Sequence, residues 1–180
     1  MTANKRTLHN DLGPVAIHEA AHAVIGRVLN LSCGSVTIVP NVDEGEAGCA
    51  IIHDPWKTAY DWDQKIWEEV EQGLPPSKSR NPRSAFRGTI LARMAGAEAE
   101  TVILGACQGG AGDDQFEIEA MAVSRHAEFS SEEWERYEPR MRRQTRQLIR
   151  RHRAKIERVA AALLARGTLE PEEVDFAMNA

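Results

Sequence analysis

PVAIHEAAHAVIGRVL, residues 14–29, is the stretch whose reading decides this chain. Val15, Ile17, Ala21, Val24, Ile25, Val28 and Leu29 recur in it at helical spacing. Pro14 after Gly13 suits the first turn of a helix, with Asn10 or Asp11 placed to cap it. The spacing predicts a helix from about Pro14 to Leu29. Within it stands HEAAH, residues 18–22. Residues four apart on a helix share a face, so His18 and His22 project together. Two imidazoles so placed can share one zinc ion. Glu19, roughly 100° around the axis, is placed to reach a water beside that ion and take its proton.

The motif alone arises by chance in about 2% of shuffled chains of this composition, so its setting matters. Here it is flanked by Val15, Ile17, Ala23, Val24 and Ile25. A helix that buries two histidines and a glutamate among aliphatics needs a partner for them, because unpaired polar burial is costly. A zinc ion would be that partner, and it needs a third protein ligand. The extended pattern HExxHxxGxxH does not supply one, since Ile25 and Val28 stand where its glycine and last histidine would be. The candidates are Glu98, Glu100, Asp113, Asp114, Glu117 and Glu119, and spacing does not choose among them.

Outward from the motif helix the chain reads as mainly α with a small β element. Ser35–Val39 is a β-branched strand ending at Pro40, and Cys49–His53 a second strand that pairs with it across the turn-rich NVDEGEAG. Tyr60–Gln72 reads as a helix and Gly73–Arg83 as a loop. A helix opened by Asn81-Pro82 runs to Leu104 and stops at Gly105. After the glycine-rich CQGGAG, Asp113 or Asp114 opens a helix to about Glu128. Ser130 with Glu133 is a capping box for the next. Pro139 is expected to break or kink that helix before a long segment to Arg166, ended by Gly167, and Pro171–Met178 closes the chain. Residues 1–13 read as a polar arm and 14–180 as one domain.

The chain has 180 residues, 42% apolar and 27% charged, with a net charge of -5. That suits one folded domain able to bury its own core. Cys33, Cys49 and Cys107 are odd in number and form no CxxC pair, which favours a reducing compartment over a disulfide framework. With no apolar leader and no 18-residue apolar run, the expected location is the cytoplasm, with no membrane contact. No GxxxxGK[ST] phosphate loop occurs, so no nucleotide-driven motor is expected. The charge is uneven. Arg140–Lys155 holds eight basic residues and no acidic ones, leaving the other 164 residues at -13. The simplest reading is an amphipathic helix with a solvated charged face; contact with acidic surface in this chain or in a second subunit is the alternative. The acidic body argues against nucleic acid as a partner.

In this order, several stretches resemble the peptidase domain of the FtsH family of AAA+ zinc proteases. They are HEAAH; SVTIVP, shortly after the motif helix; MAGAEAETVILG, a helix of small residues ending in Gly; GGAGDD with a helix after it; and LLARGTLEPEEV near the end. The matches cover residues 14–54, 88–127 and 156–177, while 55–87 resembles nothing in that family. The resemblance implies the zincin-like fold of that peptidase domain. It implies zinc held by His18, His22 and Asp114, Glu19 as general base, and Glu100 orienting a ligand histidine. It departs in that Asp113 stands where the family usually has an amide residue.

The function expected is a zinc metallopeptidase that hydrolyses peptides or unfolded segments without ATP. The alternative is a binding or regulatory module of the same fold with structural zinc and little turnover. The expected partners are a peptide or unfolded protein substrate and a separate ATPase or adaptor. The family's rings of six imply self-association as a homo-oligomer. The Cys49–His53 strand is either an ordinary hairpin strand or an edge for an extended peptide. Trp56, Trp62 and Trp67 are expected in the core, His126 is expected to be structural, and Cys107 to be an inert thiol.

Overall fold

A central helix, α1 (Leu12–Val28), carries the motif and is buried from His18 to Gly26. The computed structural model describes residues 12–41, 47–77, 82–107, 112–122 and 130–180. The caps expected at Asn10 or Asp11 lie outside them, and Leu12 and Gly13 belong to the helix rather than to a polar arm. Asn30, at φ 61°, ends α1 in the left-handed region. Its N–H donates to the Arg27 carbonyl and that of Leu31 to the Gly26 carbonyl, both at 2.9 Å. This pair of bonds satisfies the last carbonyls of the helix.

The strands β1 (Cys33–Thr37) and β2 (Cys49–Ile52) pair antiparallel as expected, with Thr37 opposite Cys49 and Val36 opposite Ala50. β1 lies two residues earlier than the sequence suggests. Thr37 Oγ1 accepts the Val39 N–H at 3.1 Å, which turns the chain out of the ladder, and Val39 is exposed. A third strand, β3 (Thr168–Leu169), completes the sheet in the order β2-β1-β3. Two residues are too few for any periodicity to announce it.

The helix α2 (Pro55–Glu71) starts five residues before Tyr60, because Asp54 accepts the N–H groups of Trp56 and Lys57 and Pro55 fills the first turn. The expectation that all three tryptophans are core is corrected. Trp62 is buried and its Nε1–H donates to the Asn30 carbonyl at 2.6 Å, whereas Trp56 and Trp67 are 54% and 64% exposed on the opposite face. Trp62 thus ties α2 to the turn that ends α1.

The long helix expected from Pro82 to Leu104 is three pieces: α3 (Pro82–Arg93), α4 (Ala95–Ala99) and a π-helical turn, Glu100–Leu104. It stops at Gly105, at φ 92°, as expected. Single π-turns of this kind are frequent at functional sites. The helix α5 (Gly112–Ala122) follows. Then comes α6 (Ser131–Arg166), opened by the Ser130–Glu133 capping box and ended by Gly167 at φ 80°. Pro139 does not break α6. It lies on the exposed side of the helix, where the carbonyl it leaves unbonded meets water. The last helix, α7 (Pro171–Asn179), closes the chain.

α1 packs most extensively against α6. Ala16, Ala20, Val24 and Ile25 meet Ile149, Ile156, Val159 and Leu163, with Val36, Leu169 and Val174 from the sheet and α7. Full burial of each of these larger side chains stabilises the fold by about 1.5–3 kcal/mol. A second cluster, Ile90, Leu91, Met94, Ile118, Trp134 and Met141, seats α5 against α3 and the first half of α6. Among the described residues no helix is long and apolar enough to cross a membrane.

Candidate metal centre

His18, Glu19 and His22 lie in the buried part of α1, each at most 8% exposed. The alanines between and around them, Ala20, Ala21 and Ala23, keep neighbouring helices close. The two rings meet edge to face with centroids 4.7 Å apart. Asp114, in the first turn of α5, brings one oxygen between them. Its Oδ2 is 3.0 Å from Nε2 of His18 and 3.0 Å from Nε2 of His22. The ligand atoms of His18, His22 and Asp114 all lie within 4.8 Å of one another, a group that could hold a metal ion.

The outer nitrogens are also held. His18 Nδ1 is 2.5 Å from Glu100 Oε1, and His22 Nδ1 donates to the Ala92 carbonyl at 2.8 Å. Glu100 opens the π-helical turn and is itself buried. Glu100 thus orients His18, the ring placed by the first histidine of the motif, and the last turn of α3 orients His22.

This arrangement poses a proton problem. A carbonyl only accepts, so His22 Nδ1 carries a hydrogen. In the neutral ring Nε2 is then a bare lone pair facing a carboxylate oxygen. For His22 this calls for a second proton or a cation beside Nε2. His18 faces carboxylate oxygens on both sides. Burial acts to lower the His22 pKa, but the charge and hydrogen bond of Asp114 outweigh it. With the Glu19 charge and the Ala92 carbonyl they raise the pKa from 6.5 to about 9. Burial likewise acts to raise the Asp114 pKa, and the charges and hydrogen bonds of His22 and His18 hold it well below the usual carboxylate range. A metal ion among the three atoms would take the place of the proton on His22 Nε2. Two imidazoles and a carboxylate, each oriented from behind, are a donor set that suits zinc.

Gly96, in α4, bears on the site sterically. A Cβ there would overlap Nε2 of His18 and stand 2.5 Å from Nε2 of His22. The backbone of the small-residue helix therefore passes directly against the face where the two nitrogens converge. Gly48, before β2, has a similar place beside Glu19. A Cβ there would be 2.9 Å from Glu19 Cγ and 3.0 Å from Val15 Cγ1.

The other third-ligand candidates have other partners. Glu98 pairs with Arg142 and Arg146, Glu117 pairs with Arg93, and Glu119 accepts from Gln115. Glu100 is behind His18 rather than beside its Nε2. The side chain of Asp113 lies outside the described residues, as do His126 and most of the CQGGAG loop. Cys107 is an exposed free thiol. The basic segment divides. Arg142 and Arg146 turn inward to Glu98, while Arg140, Arg143, Arg150, Arg151 and Arg153 form the exposed face.

Gly96, Gly48 and the Ala92 carbonyl carry no sequence signal that singles them out, although Gly96 sits within the small-residue stretch MAGAEAE. No protein-family model matches the chain, and no curated protein matches it.

Proposed function

We propose that the chain is a zinc-dependent metallopeptidase, with the zincin-like fold of the FtsH peptidase domain, that hydrolyses peptides or unfolded segments and needs no ATP for the bond cleavage itself. The observation that carries the reading is the convergence of His18 Nε2, His22 Nε2 and Asp114 Oδ2, with Glu19 one residue along the same buried helix. A structural site is closed by four protein ligands, whereas three protein ligands leave a position for water or substrate.

His18, His22 and Asp114 would hold the zinc. When bound, zinc supplies a Lewis acid that polarises the amide carbonyl and makes a water acidic enough to attack near neutral pH. Glu19 takes the proton of the attacking water and gives it to the leaving amine. Glu100 and the Ala92 carbonyl fix which nitrogen of each ring faces the centre. β2 is an edge strand, and the chain entering it at Gly48 lies against Glu19. An extended peptide pairing along β2 would therefore be led toward the general base.

The test is cleavage of a broad peptide library by zinc-loaded wild type and Glu19→Gln. Wild type should cleave, and the variant should be at least about 100-fold slower with unchanged zinc content. Equal, background-level cleavage by both would contradict the reading and leave a zinc-holding binding module.

A further inference from the structure

Asp114 is the member of the trio that α1 does not carry. It depends on the placement of α5, an eleven-residue helix. One side chain links α5 to the rest of the site. Arg142, in α6, uses all three guanidinium nitrogens. Nη2 donates to Gln115 Oε1 at 2.6 Å, Nη1 to Glu98 Oε1 at 3.0 Å and Nε to Glu138 Oε1 at 2.9 Å. Gln115 is the residue after Asp114. Glu98 is buried, also held by Arg146, and stands between Gly96, against the imidazoles, and Glu100, behind His18.

We propose that Arg142 is a positioning residue for the metal centre. It fastens the helix that brings Asp114 to the segment that lies against and orients the histidines. The proposal rests on the metal-centre reading above. A guanidinium fits this place because it is planar, always charged and presents donors in fixed directions. Its three bonds span α4, α5 and its own helix, so they fix an angle between elements as well as a distance. A lysine is a point charge on a flexible stem and can serve one of these partners at a time. Neither residue touches the reacting atoms, and the effect reaches the metal through Gln115 and the backbone of α5. The ion pair of Arg93, in α3, with Glu117 also holds α5, two residues beyond Gln115.

The test is metal binding and ligand geometry in the intact chain, with Arg142→Met, Arg142→Lys, Gln115→Ala, the double variant Arg142→Met/Gln115→Ala, and Arg143→Gln as an exposed control. Zinc affinity is read by competition with a chromophoric chelator, and geometry by the visible absorption of the cobalt(II) form. Arg142→Met and Gln115→Ala should each weaken zinc by about 10–100-fold, the range for groups that orient ligands. Both should reduce the intensity of the cobalt bands in the same way. The double variant should be no weaker than the weaker single, because the two residues act in series. Lysine at 142 should not restore the wild-type spectrum, and Arg143→Gln should keep it. Folded Arg142→Met and Gln115→Ala proteins with wild-type affinity and spectrum would overturn the proposal. If Arg142→Met does not fold, the Gln115→Ala result decides alone. A wild type that takes up neither metal would overturn the metal-centre reading and this proposal with it, whereas normal wild-type uptake with silent variants removes the positioning role alone.

Discussion

His22 Nε2 stands 3.0 Å from Asp114 Oδ2 although the other nitrogen of the same ring already gives its hydrogen to the Ala92 carbonyl. Without a metal, only the imidazolium satisfies both neighbours, and its pKa is raised to about 9. Zinc binding at pH 7 must therefore displace a proton from His22. Calorimetric titration in buffers of different ionisation enthalpy should show proton release at pH 7 and less of it above pH 9. Uptake without proton release would contradict this geometry.

The same shifts set the pH dependence of the metal-free protein. A histidine whose folded pKa is raised stabilises the fold fully below its unfolded pKa of 6.5, and that contribution is lost as pH rises through about 9. Its size is on the order of 3 kcal/mol at most. Asp114 is depressed, so its contribution is present above the usual carboxylate range and is lost as the solution becomes strongly acidic. Urea unfolding of metal-free protein should show a mildly acidic plateau, with stability falling as pH rises from 6.5 through about 9 and falling again in strong acid. The zinc-loaded protein should not show the alkaline fall, because there a cation holds Nε2 in place of the proton.

Gly96→Ala puts a methyl group into the face where the two imidazoles converge. Overpacking of this kind costs about 1–3 kcal/mol. Because the overlap is with Nε2 of both rings, zinc affinity should fall by a larger factor than in Ala97→Gly, one residue along the same helix. Chelator competition compares the two.

Glu100→Gln keeps the size of the side chain but removes the charge that faces His18 Nδ1 at 2.5 Å. Zinc affinity should fall by about 10–100-fold with the fold retained by circular dichroism. An unchanged affinity would place Glu100 outside the site's function.

Trp62→Ala removes a buried ring and its bond to the Asn30 carbonyl, and should cost about 3–5 kcal/mol. Trp67→Ala, on the exposed face of the same helix, should fall within about 0.5 kcal/mol of wild type. Denaturant midpoints separate the two.

The motif helix was legible because its apolar residues keep a 3.6-residue period and because HEAAH puts polar groups where only a partner explains them. The Ser130–Glu133 box and the glycines at 105 and 167 marked their helix ends for local reasons, a side-chain cap and a positive φ. That Asp114 is the carboxylate beside both histidines was not legible from spacing. Glu98, Glu117 and Glu119 look as suitable as Asp114 until Arg142, Arg146, Arg93 and Gln115 are seen to hold them. The break between α3 and α4 was hidden for a related reason. Met94, Ala95 and Ala97 are good helix formers, while beside the break the Ala92 carbonyl accepts from His22 and Gly96 lies against both rings. The inward turn of Arg142 and Arg146 was half visible. Contact with acidic surface in the same chain was the alternative reading of the basic segment, but the buried carboxylate that receives them lies 44 and 48 residues away.

The most direct measurement is the zinc content of purified wild type, His18→Ala/His22→Ala and Asp114→Ala, each dialysed against trace zinc and read by elemental analysis. Three converging ligands call for about one zinc per wild-type chain, none above background in the double-histidine variant, and a sharp loss in Asp114→Ala. Equal zinc in all three proteins, or none in wild type, would contradict the account.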